Sequence, residues 1–303
     1  MDNQQTKQGI ISQLPMKFQN LFRLIDFSQL QEIRFRLGRQ IMLYYETGAS
    51  YVRTDGSVTR KRAEGVCANT EDLENILGAF CNHSMYACQQ EIKDGFLTLR
   101  GGHRAGICGR AVLSGERVDN ITNISGINIR IAKQFPGCSQ NLLPSIINGR
   151  QIVNALLISP PQCGKTTMLR DIARTLSEER KVTVVDERSE IAAVRDGRPQ
   201  FDVGPQTDVL DRFPKAAGML LAVRSLSPEV IITDEIGAKE DASAIAGVLN
   251  AGCKIITSIH GYDVESLRET KGEFLSLFDT AIVLTRKNGT PHVAETMRLR
   301  VTV

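Results

Sequence analysis

The sequence predicts an α/β protein in which residues 141–303 form a parallel sheet with helices on both faces, preceded by a smaller α+β domain at residues 1–140. Two observations carry this prediction. After residue 140, short apolar runs alternate with helix-length segments, as in proteins with a buried parallel sheet. Before residue 140, stretches of alternating apolar and polar residues are separated by glycines, and one stretch has helical periodicity.

The N-terminal domain is expected to consist mainly of strands. Ile33, Phe35 and Leu37 alternate with arginines, which is typical of a half-exposed strand. Between residues 73 and 80, apolar side chains recur at helical spacing, with two acidic residues in the first turn. The other predicted strands are residues 41–45, 96–100, 104–112 and 127–132.

The C-terminal domain follows a linker predicted at residues 135–141. Asn288-Gly289 predicts a closing hairpin near its end. Residues 188–214 are rich in Gly, Pro, Asp and Arg and predict a long functional or mobile loop that faces the pore or a neighbouring subunit of a ring. The predicted strands are residues 154–159, 182–186, 229–234, 254–259 and 280–285.

Residues 159–167 read Ser-Pro-Pro-Gln-Cys-Gly-Lys-Thr-Thr, directly after an apolar strand and before an amphipathic helix. This matches the phosphate-binding pattern G-x-x-x-x-G-K-[ST] except at the first position, where Ser159 replaces glycine. Pro160 and Pro161 have no N–H group. We therefore expect the phosphates to lie on later backbone amides, at the helix N-terminus.

The residue types of this loop predict a site for ATP and Mg²⁺. Lys165 is expected to reach the β and γ phosphates, and Thr166 to ligate Mg²⁺. Cys163 lies inside the loop beside Lys165, so we expect it to be alkylated at the cost of activity unless nucleotide protects it. The phosphate-binding residues are predicted to be Gln162, Cys163, Gly164, Lys165, Thr166 and Thr167.

An acidic pair, Asp234 and Glu235, ends the apolar strand at residues 229–234. In phosphate-loop enzymes the first acid orients Mg²⁺ through water, and the second can draw a proton from the attacking water. The alternative interpretation is a solvated turn. The position at a buried strand end, downstream of the loop, favours the catalytic one.

Two further strand ends carry candidate residues. Thr257, Ser258 and His260 can sense the γ-phosphate, although a lone histidine is more often packed or solvated. Asp186 and Glu187 are candidates for the water or the metal, and a helix cap or an ion pair is an equally good interpretation of both.

The segment from Leu220 to Gly261 resembles the ATPases of type II and type IV secretion and pilus machines, which commonly carry Gly-Glu where this chain has Asp234-Glu235. Nearly the whole chain is similar to the stage III sporulation protein AA family of spore-forming bacteria. The resemblance implies a RecA-like ATPase, working as a hexameric ring in the mother-cell cytoplasm at a membrane channel. The segments that carry it are Glu32–Arg39, Gly101–Gly106, Ser159–Thr167 and Val185–Ala192.

The resemblance also suggests that an arginine of the first domain completes a neighbour's nucleotide site. Arg104 and Arg110 are the candidates, since an arginine supplied by an adjacent subunit would stabilise charge on the transferred phosphoryl group. The alternative is a tight hairpin with exposed charges. Arg195 and Arg198 are rival sources.

Composition narrows the possible partners. A net charge of +3 and an aromatic content of 5% argue against nucleic acid, which needs basic patches and stacking platforms. No apolar run of membrane-spanning length and no signal-peptide core are present, so we expect a cytoplasmic protein that reaches a membrane through embedded channel proteins. The seven cysteines are expected to be reduced.

Together these features predict an Mg²⁺-dependent ATP hydrolase that drives a membrane-bound assembly. Two alternatives remain from other classes. One is a nucleic-acid motor, which would bind DNA or RNA with a steep salt dependence. The other is a nucleotide-gated scaffold that binds ATP and scarcely hydrolyses it.

Overall fold

The computed structural model of the chain describes residues 3–161, 163–287 and 290–299. It divides into two compact units, one ending at Lys133 and the next beginning at Gln134. This division falls just before the predicted linker at residues 135–141. The predicted Asn288-Gly289 turn lies outside the described residues.

The N-terminal unit is built on an antiparallel sheet in the order β4-β3-β2-β1-β7-β6-β5. Its elements are α1 (Asn3–Ile11), α2 (Met16–Leu21), β1 (Leu30–Arg36), β2 (Met42–Tyr45), β3 (Gly48–Val52), β4 (Val58–Thr59), a short 3-10 helix (Arg62–Glu64), α3 (Thr70–Phe80), α4 (Gln89–Lys93), β5 (Phe96–Thr98), β6 (Arg104–Ser114) and β7 (Arg117–Arg130).

Helices cover one face of this sheet. Ile33 and Phe35 of β1 are buried, and Phe35 packs edge-on against Phe18 of α2 at 5.2 Å between ring centroids. The predicted helix is confirmed as α3, whose N-terminus is capped by the reciprocal hydrogen bonds of Asn69 and Asp72. The opposite face of the sheet carries the arginines that alternate with the buried residues of β1.

The C-terminal unit is built on a second sheet in the order β14-β11-β15-β16-β10-β17-β18. Its pairings are parallel except for β18, which runs antiparallel to β17. Its elements are α5 (Leu143–Ile146), β8 (Ile147–Asn148), β9 (Gln151–Ile152), β10 (Ala155–Ser159), α6 (Lys165–Leu176), β11 (Val182–Asp186), β12 (Val194–Arg195), β13 (Arg198–Pro199), β14 (Thr207–Asp211), α7 (Lys215–Ser225), β15 (Val230–Ile236), α8 (Lys239–Asn250), β16 (Lys254–His260), α9 (Val264–Leu275), β17 (Thr280–Lys287) and β18 (Thr290–Arg298).

Both faces of the second sheet are covered, as predicted. Along β10, Leu156 joins the apolar cluster formed with α7, α8 and α9. Its neighbour Leu157 joins the cluster on the other side, with α6. This alternation explains why the strand is apolar at every position. Among the described residues no helix has the length and apolarity needed to cross a bilayer.

The segment at residues 188–214 is not one long loop, and that part of the prediction is wrong. It contains the small β12–β13 hairpin, and β14 joins the sheet by pairing in parallel with β11 from Val182 to Asp186. Val209 and Leu210 pack partly buried against the two cores. Aspartates flank these two apolar residues, so the sequence carries no clear signal for the edge strand β14.

Candidate nucleotide-binding site

The parallel register brings the predicted site residues to one edge of the C-terminal sheet. Val185, Thr233 and Thr257 lie side by side on β11, β15 and β16. Ser159 at the end of β10 lies opposite His260 at the end of β16. The loop after β10 and the acidic residues at the ends of β11 and β15 therefore share one edge of the sheet. This is the edge at which open parallel sheets bind ligands.

The loop between β10 and α6 ends in a left-handed residue that needs glycine. Gly164 has φ 87° and ψ 22° and directly precedes the helix. Pro291 of β18 lies against it, so closely that a Cβ at position 164 would be 2.3 Å from Pro291 Cγ. Both the backbone angle and the close contact therefore exclude a larger residue.

Lys165, the first residue of α6, is folded over this loop. Its ammonium donates to the carbonyl oxygens of Ser159 at 3.0 Å and Pro160 at 3.3 Å. Burial lowers the pKa of Lys165, and the charges of Glu235 and Asp234 oppose that shift. The lysine, the loop and both acids of β15 thus form one cluster at the N-terminus of α6, where backbone N–H groups favour an anion.

Asp234 is a buried carboxylate suited to a cation. It is 4% exposed, and burial together with the nearby Asp186 raises its pKa to about 6, against the influence of Lys215. No hydrogen bond reaches its carboxylate from the part of the chain that the structure describes. With the hydroxyl of Thr166 on α6, it offers the oxygen ligands that Mg²⁺ prefers, and the bound cation would supply the missing positive charge.

Glu235 lies on a bulge in β15, between Thr233 and Ile236. Its φ of 47° is in the left-handed region, which a non-glycine residue adopts only when its surroundings impose it. Two contacts fix its peptide groups: its N–H donates to Ser258 Oγ at 3.0 Å, and its carbonyl accepts from Lys215 Nζ at 3.0 Å. The bulge turns the Glu235 side chain out of the sheet, towards solvent.

Arg188 contacts the carboxylate that this bulge presents. Its Nη1 donates to Glu235 Oε2 at 3.0 Å, and both side chains are substantially exposed. Arg188 follows β11 by two residues, so this ion pair joins two neighbouring strand ends. A water molecule that reaches Glu235 has to share or replace this contact.

Lys215 is a site residue that the sequence interpretation missed. It begins α7, is 8% exposed, and donates to the Glu187 carboxylate from its backbone N at 3.2 Å and from Nζ at 3.3 Å. A lysine in the first turn of a helix usually extends into water, so no pattern marked it. Glu187 is therefore engaged in an ion pair, which was one of its two sequence interpretations.

The carboxylate of Asp186 binds backbone N–H groups of the turn that follows β11. It accepts hydrogen bonds from the N–H groups of residues 190–192 at 2.8 to 3.0 Å. Arg170 of α6 donates to two carbonyls of the same turn and stacks on Phe201, with 3.8 Å from its Cζ to the ring centroid. Asp186 and Arg170 together hold the turn after β11, so this carboxylate binds a backbone turn and caps no described helix.

The remaining predicted residues are divided between the two units. His260 is exposed at the end of β16, with its ring 5.9 Å from that of Tyr262. Arg104 and Arg110 lie on β6 of the N-terminal unit. Arg198 is exposed, whereas the side chain of Arg195 is 9% exposed. Gln162 lies outside the described residues, and Cys163, Gly164 and Thr167 lie in the loop and the first turn of α6.

The fold is that of the RecA-like secretion and pilus ATPases. The structure matches the Legionella pneumophila ATPase DotB with a TM-score of 0.58 and 15% identity, covering 95% of this chain and 82% of DotB. It matches the pilus retraction motor PilT with bound ADP with a TM-score of 0.61 and 11% identity, covering 95% of this chain and 84% of PilT. At this identity the likeness establishes the fold.

The chain belongs to the family described as "Sporulation stage III, protein AA", whose model matches residues 4–298. It is 39% identical over 263 residues to the stage III sporulation protein AA of Bacillus subtilis (strain 168), a match that covers 84% of this chain and 81% of that protein. The resemblance stated from the sequence segments is confirmed.

Proposed function

We propose that this protein is an Mg²⁺-dependent ATP hydrolase whose site is the edge of the sheet between the loop at residues 159–164 and the end of β15. The observation that carries the proposal is the cluster of Lys165, Asp234 and Glu235. It combines a cation at a helix N-terminus, a buried carboxylate without a hydrogen-bond partner among the described residues, and an acid held outward on a bulge. This is the set of groups that phosphoryl transfer to water requires.

Each residue then has one task. The backbone amides that open α6 bind the phosphate oxygens, and Lys165 exchanges its loop carbonyls for the β and γ phosphates. Thr166 and Asp234 would hold Mg²⁺, which would supply positive charge against the phosphates. Glu235 orients the attacking water and accepts its proton, and His260 on the adjacent strand end contacts the γ-phosphate.

The experiment that tests the hydrolase is phosphate release from ATP by the purified full chain, with Mg²⁺ and with the metal chelated. We expect release that depends on Mg²⁺ and that a Glu235→Gln protein, purified in the same way, lacks. ATP binding without phosphate release would contradict hydrolysis and support the nucleotide-gated scaffold instead.

The proposal extends to a ring-forming motor of six copies of this chain, at a membrane channel of the sporulation apparatus in the mother cell. Family membership and the fold of DotB and PilT support it. In such a ring Arg104 or Arg110 of one subunit would complete the site of its neighbour. Activity per chain should then rise with protein concentration as the ring assembles.

Mixing two inactive variants tests the shared site. A Glu235→Gln chain and a chain lacking the responsible arginine should regain some hydrolysis together, because a fraction of interfaces then pairs an intact glutamate with an intact arginine. If specific activity is constant down to concentrations at which sedimentation detects monomer, and no mixture is rescued, each chain works alone.

A further inference from the structure

The segment Glu32–Arg39 carries a groove that the proposed ATPase chemistry does not use. The groove has a volume of about 510 Å³ and lies in the N-terminal unit, where β1 ends and the second half of β7 begins. The side chains that define it are Arg36, Leu37, Arg39, Cys108 and Asn128, with Gly126 at its floor.

The groove exists because Gly126 has no side chain. Gly126 of β7 pairs with Arg36 of β1 on one side and with Cys108 of β6 on the other. A Cβ at this glycine would lie 3.1 Å from the Phe35 carbonyl oxygen and 3.7 Å from Arg36 Cγ. Any larger residue would therefore fill the space between the two flanking strands.

The turn after β1 brings a second arginine to the same groove. Gly38, with φ 67°, makes the turn, and its N–H donates to the carbonyl of Ala68 at 2.8 Å. Leu37 N–H donates to the Ser125 carbonyl at 3.0 Å. The backbone that carries Arg36 and Arg39 is thus fixed on both sides of the turn.

These two arginines differ from their neighbours on the sheet. Arg34 and Arg130 both form ion pairs with Glu32. Within the described parts of the chain, neither an ion pair nor a side-chain hydrogen bond involves the guanidinium of Arg36 or Arg39. The groove therefore has two uncompensated positive charges at one end, whose fork of donors matches carboxylate groups.

Two further features of the lining specify more than an anion. Leu37 is 45% exposed between the arginines, which offers an apolar contact. Asn128 lines the groove, and its Oδ1 is buried without a hydrogen-bond partner among the described residues, so a donor such as a peptide N–H reaches this oxygen only when the amide turns towards the groove. Phe35 is the aromatic residue of the groove lining and is buried, so this lining offers no open ring for stacked bases.

We propose that this groove docks an extended acidic segment of a partner protein. Its carboxylates lie between Arg36 and Arg39, an apolar side chain packs on Leu37, and the amide of Asn128 turns so that Oδ1 accepts a backbone N–H of the segment. This inference is independent of ATP hydrolysis, because the groove belongs to the N-terminal unit and contains none of the residues assigned to the nucleotide.

Fluorescence anisotropy of the full chain with a labelled peptide of glutamate and leucine tests the proposal. Comparison probes are the same peptide with glutamine for glutamate and a short single-stranded DNA. Arg36→Ala/Arg39→Ala should weaken binding of the acidic peptide by tenfold or more, the scale of lost charge-assisted hydrogen bonds. The matched control, Arg23→Ala/Arg60→Ala, removes the same charge from exposed positions elsewhere and should bind like the unchanged protein.

A second measurement needs no substitution. Cys108 is exposed in the groove, so the acidic peptide should slow its alkylation and leave that of Cys163 unchanged. Three results would overturn the proposal: equal peptide binding by both double variants or none by any protein, tighter binding of DNA with the same arginine dependence, or loss of self-association in the Arg36→Ala/Arg39→Ala protein, which would make this face a contact between copies.

Discussion

Lys215 Nζ lies 3.0 Å from the carbonyl oxygen of Glu235 and donates a hydrogen bond to it. The same ammonium contacts the carboxylate of Glu187 at 3.3 Å. The buried Lys215 thus contacts the two candidate acids, Glu235 and Glu187, in different ways. It fixes the main chain of Glu235 and leaves that side chain to Arg188, whereas it neutralises the side chain of Glu187.

Glu235→Gln should retain ATP binding and lose hydrolysis by about 100-fold or more, the scale of a positioned general base. Glu187→Gln should have the smaller effect on turnover, because its carboxylate is engaged by Lys215. Phosphate release under saturating ATP, with nucleotide affinity measured in parallel, separates the two.

The reverse ranking would change the assignment. If the Glu235 variant hydrolyses ATP within a few-fold of the unchanged protein and the Glu187 variant does not, then Glu187 is the base. In that case the Arg188 contact with Glu235 would be an ordinary exposed ion pair of small energetic value.

The elements that carry this site were predictable from the sequence because their signals are local. The apolar runs ending in Ser159, Asp186 and His260 became β10, β11 and β16 with nearly the expected bounds. The acidic pair Asp234-Glu235 was expected at the same edge, because it ends an apolar strand downstream of the loop. Alternation and spacing do not reveal the partners of Glu187 and Glu235, since Lys215 and Arg188 come from elements distant in sequence.

Cys163 should be alkylated with loss of ATPase activity, and Mg²⁺ with ATP should protect it. The residue is partly exposed in the loop beside Lys165. Peptide mass spectrometry locates the label, which is necessary because Cys67 and Cys108 are exposed as well. Cys138 is an internal control, since burial and the nearby Asp171 raise its pKa to about 11 and keep the thiol protonated.

Equal labelling of Cys163 with and without nucleotide would place its side chain away from bound ATP. Protection by nucleotide together with full activity of the alkylated protein would show that the loop tolerates the adduct. Either result would remove this residue from the predicted phosphate-binding set.

His103 should make the N-terminal unit less stable in acid. It is fully buried, and burial lowers its pKa to about 4, while its Nδ1 accepts the N–H of Ala132 at 3.0 Å. The unfolded chain, with the ordinary value near 6.5, binds more protons between these limits, so stability falls as pH decreases from about 6.5 to 4. The full loss amounts to about 3 kcal/mol.

Urea unfolding at pH 7.5 and pH 5 measures this effect. Tyrosine fluorescence reports mainly on the N-terminal unit, because the chain has no tryptophan and four of its five tyrosines precede residue 134. His103→Asn removes the titration and keeps an acceptor, so its pH dependence should be flatter. His83→Asn, at an exposed position, is the matched control, and an unchanged slope in the His103→Asn protein would contradict the account.

The parts of the site that sequence reasoning missed or left open depend on hydrogen bonds that the structure shows. Two interpretations of Asp186, a role at the water or metal and a helix cap or ion pair, are equally good from the sequence, whereas in the structure the turn at residues 190–192 occupies its carboxylate oxygens. No sequence pattern marked Arg170 or Lys215, yet both are buried against carbonyls and carboxylates. Strand β14 was not predicted, because aspartates flank its two apolar residues. For Arg170, Lys215 and β14 the deciding hydrogen bonds join residues distant in sequence, whereas those of Asp186 lie within its own turn.

Equilibrium binding of ATP to the Lys165→Ala protein tests the central claim most directly. Lys165 is the cation of the cluster at the N-terminus of α6, so its loss should abolish measurable ATP binding while the circular dichroism spectrum stays unchanged. Lys181→Ala, at the opposite end of β11, removes an exposed lysine and should bind ATP normally. Near-normal affinity of the Lys165 variant would contradict the account, because the loop would then not be the phosphate site.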